Sequence, residues 1–63
     1  MNVALRAARE RSGKTQAQVA EEVNVGVRLY QDYEYGKREP GVRTALRIAK
    51  ALKSTVEELF EDS

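Results

Sequence analysis

Residues 15–36 read TQAQVAEEVNVGVRLYQDYEYG, and the rest of the predicted fold is built around this segment. Thr15 stands three residues before Gln18, which is the capping-box spacing that begins a helix. An apolar stripe at helical period follows, made of Val19, Ala20 and Val23. These signals predict a short helix over residues 16–23.

A second short helix is predicted over residues 27–35, directly after a sharp turn. Asn24 ends the first of the two helices, because asparagine tolerates the left-handed backbone that a tight exit requires. Gly36 ends the second, whose predicted inward-facing residues include Tyr30 and Tyr33. Since the side chain of Ala20 is short, the two helices can cross steeply and closely. Two helices joined in this way form a helix-turn-helix motif.

Residues 1–60 resemble the phage-repressor family of DNA-binding domains, also called lambda-repressor-like or Cro-type. The matching segments occur in the family's order and spacing: Thr15-Gln16, Val19-Ala20, Glu34 to Arg38 with Pro40, Ala45 to Leu52, and Val56 to Phe60. Three positions depart from the family: Asn24 replaces the usual glycine, Tyr35 the usual asparagine, and Gly26 the usual serine or threonine cap. The resemblance implies an all-α fold, a compact five-helix domain whose helix-turn-helix is formed by helices 2 and 3.

The other three helices are predicted over residues 2–12, 42–53 and 55–61. Asn2 caps the first, and Ser54 or Thr55 caps the last as a doubled capping box. The predicted buried side of the fourth helix consists of Val42, Ala45, Leu46, Ile48, Ala49 and Leu52. No repeat or linker interrupts the chain, so we expect a single domain over residues 1–63, either a minimal regulator or the DNA-binding part of a larger one.

Composition excludes several function classes. The 63 residues include no cysteine and no histidine, which removes disulfides, thiolate or imidazole metal sites and any histidine-based catalytic arrangement. No nucleophile–base pair is present, so we expect no enzyme, no cofactor, no metal and no small-molecule ligand. No apolar run approaches the roughly 20 residues that span a membrane, and no signal peptide is visible. A cytoplasmic protein, nucleoid-associated when bound to DNA, is the expectation.

Charge is unevenly distributed along the chain. The net charge is +1, but residues 1–56 hold eleven basic and six acidic side chains, a net charge of +5, and the other four acids follow. A basic body with an acidic tail is typical of a domain with one face toward phosphate. A solvated surface of mixed charge would give the same count.

The predicted base-reading residues lie on one face of helix 3: Val27, Arg28, Gln31 and Asp32. Arg28 can donate two hydrogen bonds to guanine, worth roughly 1–3 kcal/mol of discrimination. Gln31 could pair with adenine or reach a phosphate, and Val27 could touch a thymine methyl group. Asp32 could accept from cytosine or orient Arg28. A solvated helix face without a partner is the alternative.

Phosphate contacts are predicted for four further residues, Gln16, Lys37, Arg38 and Gly41, the first three of which the resemblance implies. Gln16 lies in the first turn of a helix, where free N–H groups attract anions, although it could also serve for capping alone. Lys37 and Arg38 follow the recognition helix directly and supply affinity without sequence information. Gly41 begins helix 4, whose first amides could meet a phosphate.

The resemblance implies two structural contacts as well. Arg9 and Glu34 fall on the positions of an ion pair between the first and third helices, although they could be unrelated surface charges. Leu59 and Phe60 are the possible dimer contact, since family members commonly pair near this end. We therefore expect a homodimer, at least on DNA, with half-sites about 34 Å apart.

Two functions remain after these exclusions. The first is a sequence-specific regulator of transcription that binds a double-stranded DNA operator, with repression as the default. The second is a protein-interaction module on the same fold, such as an antitoxin or anti-repressor component. The weak net charge and the presence of Asp32 on the groove-facing side keep the second function open.

Overall fold

The computed structural model describes residues 1–61. Five helices occur there: α1 (Val3–Arg11), α2 (Gln16–Glu22), α3 (Val27–Tyr35), α4 (Val42–Ala51) and α5 (Val56–Phe60). The all-α fold with a helix-turn-helix at α2 and α3 is confirmed, and the predicted helix bounds are within two residues of the observed ones. Since the longest of the five has ten residues, no helix between residues 1 and 61 could cross a membrane.

Side-chain caps begin the first two helices as the sequence predicts. The Asn2 Oδ1 atom accepts a hydrogen bond from the Leu5 amide at 2.9 Å. At α2, Thr15 Oγ1 accepts from the Gln18 amide at 3.1 Å, and Gln18 Oε1 accepts from the Thr15 amide at 2.8 Å. This reciprocal capping box fixes where α2 begins.

The prediction of a doubled capping box at the start of α5 is wrong. Thr55 alone is the N-cap, and its Oγ1 accepts from the Glu58 amide at 3.1 Å. The Ser54 hydroxyl instead donates to the Glu58 carboxylate at 2.8 Å. No return bond joins the Glu58 carboxylate to the Thr55 amide, so α5 has a simple N-cap and no capping box.

The turn between α2 and α3 has the predicted left-handed residue. Asn24 has a φ of 62°, and the next amide, that of Val25, donates to the Ala20 carbonyl at 3.0 Å. Ala20 is buried, as the close approach of α2 and α3 requires. At the far end of α3, Gly36 adopts a φ of 76° and closes the helix. The exits of α2 and α3 therefore both depend on left-handed residues that the sequence marks.

A single cluster of buried side chains holds all five helices together. Its members are Leu5, Ala8, Val19, Ala20, Val23, Tyr30, Tyr33, Ile48, Ala49, Leu52 and Leu59. The rings of Tyr30 and Tyr33 meet edge to face with centroids 6.4 Å apart. The inner face of α3 therefore supplies the two aromatic residues of this core.

Two residues predicted for the core lie at the surface instead. Val42 is 78% exposed and Leu46 is 56% exposed, whereas Ala45, Ile48, Ala49 and Leu52 are buried. The physical reason is the shortness of α5, whose five residues cover only part of the apolar face of α4. Val42 and Leu46 therefore form an exposed apolar strip, with half-buried Phe60 across the groove between α4 and α5.

Candidate nucleic-acid interface

The third helix has a buried face and an open face. Tyr30, Tyr33 and Glu34 point inward and are at most 6% exposed. The opposite face carries Val27, Arg28 and Tyr35, which are exposed, and Gln31 and Asp32, which are half-buried. The residues of the predicted reading face thus share one side of α3.

Glu34 is the buried charge that anchors α3. Its carboxylate accepts from Arg9 Nε at 2.6 Å and from Arg9 Nη2 at 3.3 Å. The Tyr30 hydroxyl donates to it at 2.7 Å, and Gln16 Nε2 donates at 3.0 Å. Arg9 also donates from Nη1 to the Lys14 carbonyl at 2.9 Å. This cluster ties α1 and the start of α2 to the inner face of α3.

The charges in this cluster stabilise one another. Burial on its own raises the pKa of Glu34, but hydrogen bonds from Arg9, Tyr30 and Gln16 outweigh it and hold the pKa below its usual value. The hydrogen bond to Glu34 raises the pKa of Arg9. Burial, together with the bond to the Glu34 carboxylate, raises the pKa of the Tyr30 phenol. Glu34 is therefore ionised and Tyr30 neutral near neutral pH.

Gln16 links this buried cluster to the open face of α3. While its Nε2 donates to Glu34, its Oε1 accepts from Gln31 Nε2 at 3.1 Å. The side chain does not cap α2, because Thr15 and Gln18 supply the cap. Sequence reasoning missed both bonds of Gln16, since they join residues 15 and 18 positions apart and follow no local spacing.

The loop after α3 is exposed and basic. The amides of Lys37 and Arg38 both donate to the Asp32 carbonyl, at 2.9 and 3.4 Å, so the loop folds back over the end of α3. Both side chains are exposed. Gly41, also exposed, begins α4 without any side-chain cap. No ion pair joins Arg28 to Asp32 within residues 1–61, so Asp32 does not orient Arg28 through direct pairing.

The predicted dimer contact is only partly available. Leu59 is 2% exposed and belongs to the core, so it offers almost no surface for the possible contact with a second chain. Its burial follows from the position of α5, which packs against both α1 and α4. Phe60 is half-buried and lines the apolar groove together with Val42 and Leu46.

No cluster of three or more side chains of the metal-binding types occurs within the described part of the chain, where Asp and Glu are the only candidates.

A tight α2–α3 turn, a buried anchor beneath α3 and an open polar face on α3 together define a helix-turn-helix DNA-binding domain. The protein's particular family follows from a comparison of sequences.

Residues 5–59 match the sequence profile of a family described as helix-turn-helix, and the chain belongs to that family. The chain is also similar to the cryptic phage CTXphi transcriptional repressor RstR of Vibrio cholerae serotype O1 (strain ATCC 39315 / El Tor Inaba N16961), with 37% identity over 51 residues. The similar region covers 81% of this chain and 46% of that protein, so the chain spans less than half the length of this relative. The resemblance to phage-repressor-type domains is confirmed.

Proposed function

We propose that this chain is a sequence-specific transcriptional regulator that binds double-stranded DNA and represses transcription by occupying its operator. The proposal is supported most directly by the two faces of α3. One face is anchored by Glu34, and the other is open and includes the exposed Arg28. A rigid helix with one polar face free is the geometry that enters a major groove. The similarity to a phage transcriptional repressor supports the direction of regulation.

Base reading is assigned to the open face of α3. Arg28 is exposed near the start of the helix, where side chains lie closest to base edges, and donates two hydrogen bonds to guanine. Val27, 44% exposed, contacts a thymine methyl group. Gln31 is oriented by Gln16 and reads adenine, and Asp32 accepts from cytosine.

Four residues around this face are assigned to the DNA backbone. Gln16 lies in the first turn of α2, and its amide orients Gln31 as well as meeting a phosphate. Lys37 and Arg38 contact phosphates from the loop that folds over the end of α3. The uncapped start of α4 at Gly41 offers amide donors to another phosphate.

The chain acts as a homodimer on an operator with two half-sites about 34 Å apart. The exposed strip of Val42 and Leu46, with Phe60 beside it, is the apolar surface available for this contact. Lys50 lies at the α4 side of the same groove and Glu57 at the α5 side. A two-fold pairing that lays α4 of one copy over α5 of the other would place these opposite charges together.

We expect a protein of the cytoplasm with no catalytic activity and no cofactor.

Arg28→Ala tests the proposed reading face. We expect affinity for the operator to fall roughly 10- to 100-fold, as the loss of one bidentate contact predicts, with relaxed preference at a single base pair. Arg47→Ala is the matched control, since it removes the same charge from an exposed position on α4. Equal losses for the two variants would mean that Arg28 contributes charge alone and does not read a base.

A second function, a protein-interaction module such as an antitoxin or anti-repressor component, is favoured by the exposure of Val42 and Leu46. The same Arg28→Ala variant separates the two functions. Loss of DNA affinity with self-association intact supports the regulator. Binding of a protein partner that depends on Leu46, in a chain with no DNA affinity, supports the interaction module.

A further inference from the structure

A small surface cavity of about 230 Å³ lies where α1, the start of α2 and the end of α3 meet. The residues that line it are Met1, Arg6, Arg9, Gln16, Glu34 and Tyr35. Gln16, Arg9 and Glu34 already have roles, but the function described so far uses neither Arg6 nor Tyr35. Both of these side chains are exposed, and each ends in a hydrogen-bond donor.

The cavity carries a net positive charge. Its one acidic lining residue, Glu34, is neutralised by Arg9 and has its oxygens occupied by four hydrogen bonds. Among the side chains of the lining, the guanidinium of Arg6 is therefore the charge that no carboxylate of the lining balances. Its partner Glu10 lies outside the cavity at 3.3 Å, and the two side chains are 50% and 57% exposed. An exposed i,i+4 pair of this kind is weak, so Arg6 can exchange it for a stronger anion.

The cavity adjoins the open face of α3. Tyr35 belongs both to that face and to the cavity wall, and Gln16 bonds Gln31 on one side and lines the cavity on the other. A duplex seated on the open face would therefore bring its sugar-phosphate backbone to the rim where Arg6 lies. An arginine and a phenol hydroxyl beside a glutamine amide are a donor set that suits a phosphate.

We propose that Arg6 and Tyr35 form a phosphate-binding site that extends the DNA interface onto α1, next to the phosphate contact of Gln16. Arg6 supplies the charge and Tyr35 supplies a neutral donor. The site rests on the proposed function, because its ligand is a backbone phosphate of the DNA that α3 reads. The tyrosine at position 35 has a longer reach than the asparagine that is usual there, and it can meet a phosphate beside α1.

The test is a salt titration of DNA affinity for Arg6→Gln, with Arg11→Gln as the matched control. Arg11 is also an exposed arginine of α1, but it lies at a different cavity beside Lys14 and Lys53. Loss of one phosphate contact reduces the magnitude of the slope of log affinity against log salt by about 0.9. At 0.15 M salt this corresponds to an affinity that is roughly fivefold weaker. We expect this for Arg6→Gln on operator and random DNA alike, and no change of slope for Arg11→Gln.

Three further variants separate charge from geometry. Arg6→Lys should keep the slope, because the charge remains. Glu10→Gln should tighten binding, since it frees Arg6 from its competitor. Tyr35→Phe should weaken binding several-fold with no change of slope, because the lost donor is neutral. A melting temperature equal to that of the wild type shows, for each variant, that the fold is intact.

Different results overturn the site and the proposed function. If Lys37→Gln lowers the slope while Arg6→Gln behaves like Arg11→Gln, the DNA-binding function stands and the site on α1 does not exist. If the wild-type chain shows no salt-dependent affinity for any duplex, the proposed function itself fails. If millimolar inorganic phosphate displaces DNA from the wild type beyond the effect of ionic strength, and not from Arg6→Gln, the site binds free phosphate instead.

Discussion

Glu34→Gln removes one negative charge from the buried cluster beneath α3 while keeping nearly the same side-chain volume. Glu34 is 1% exposed, and the neutral amide would face the Arg9 guanidinium, which is 13% exposed in its side chain. Removal of one partner from a buried ion pair costs about 3–5 kcal/mol, because the other charge is left without compensation. Since Arg9 keeps its bond to the Lys14 carbonyl and some solvent, we expect about 3 kcal/mol.

That loss is large for a domain of this size, because a single core of fewer than about 70–80 residues rarely supplies more than about 3–5 kcal/mol. Urea unfolding followed by helical circular dichroism should therefore show a midpoint reduced by more than half, with an unchanged slope. Glu10→Gln is the control, since its pair with Arg6 is exposed and should be worth less than about 0.5 kcal/mol. Similar midpoints for the two variants would refute the view that Glu34 anchors α3.

Because the pKa of Glu34 is lowered in the folded state, its ionised form stabilises the fold above about pH 4.5. This stabilisation is lost as the pH falls through the folded-state pKa. In acid titrations below pH 4.5, the free energy of unfolding should therefore fall more steeply for the wild type than for Glu34→Gln. Gly36→Ala should destabilise the fold by about 1–2 kcal/mol, and by more than Gly13→Ala does. Both glycines have positive φ, but only at Gly36 would the added Cβ lie 3.2 Å from the Met1 backbone. Thermal melts of the two variants measure the difference. Leu46→Asp should abolish self-association in analytical ultracentrifugation with little change in melting temperature, since this side chain is 56% exposed.

The features that the sequence predicts well are those encoded within three or four residues. The capping box of Thr15 and Gln18 and the left-handed Asn24 and Gly36 all follow from local backbone chemistry. The position of the helix-turn-helix can therefore be predicted from the sequence alone. Lys53 is the exception, since it adopts a φ of 54° after α4 although no glycine or asparagine marks the turn.

Features that depend on tertiary packing could not be predicted in the same way. Helical period places Leu46 beside the buried residues of α4, but only the short length of α5 decides that it stays exposed. The same position of α5 buries Leu59, although the sequence alone leaves it open as a possible dimer contact. The two bonds of Gln16, to Glu34 and Gln31, link distant parts of the chain and leave no periodic signal.

We propose that the open face of α3 reads a DNA sequence. The most direct test is selection of binding sites by the purified chain from a pool of random duplexes, followed by a salt titration of the enriched site. The proposed function predicts enrichment of a two-fold symmetric sequence, with affinity that falls steeply as salt rises. Weak binding at low salt, with no sequence enriched, would contradict it.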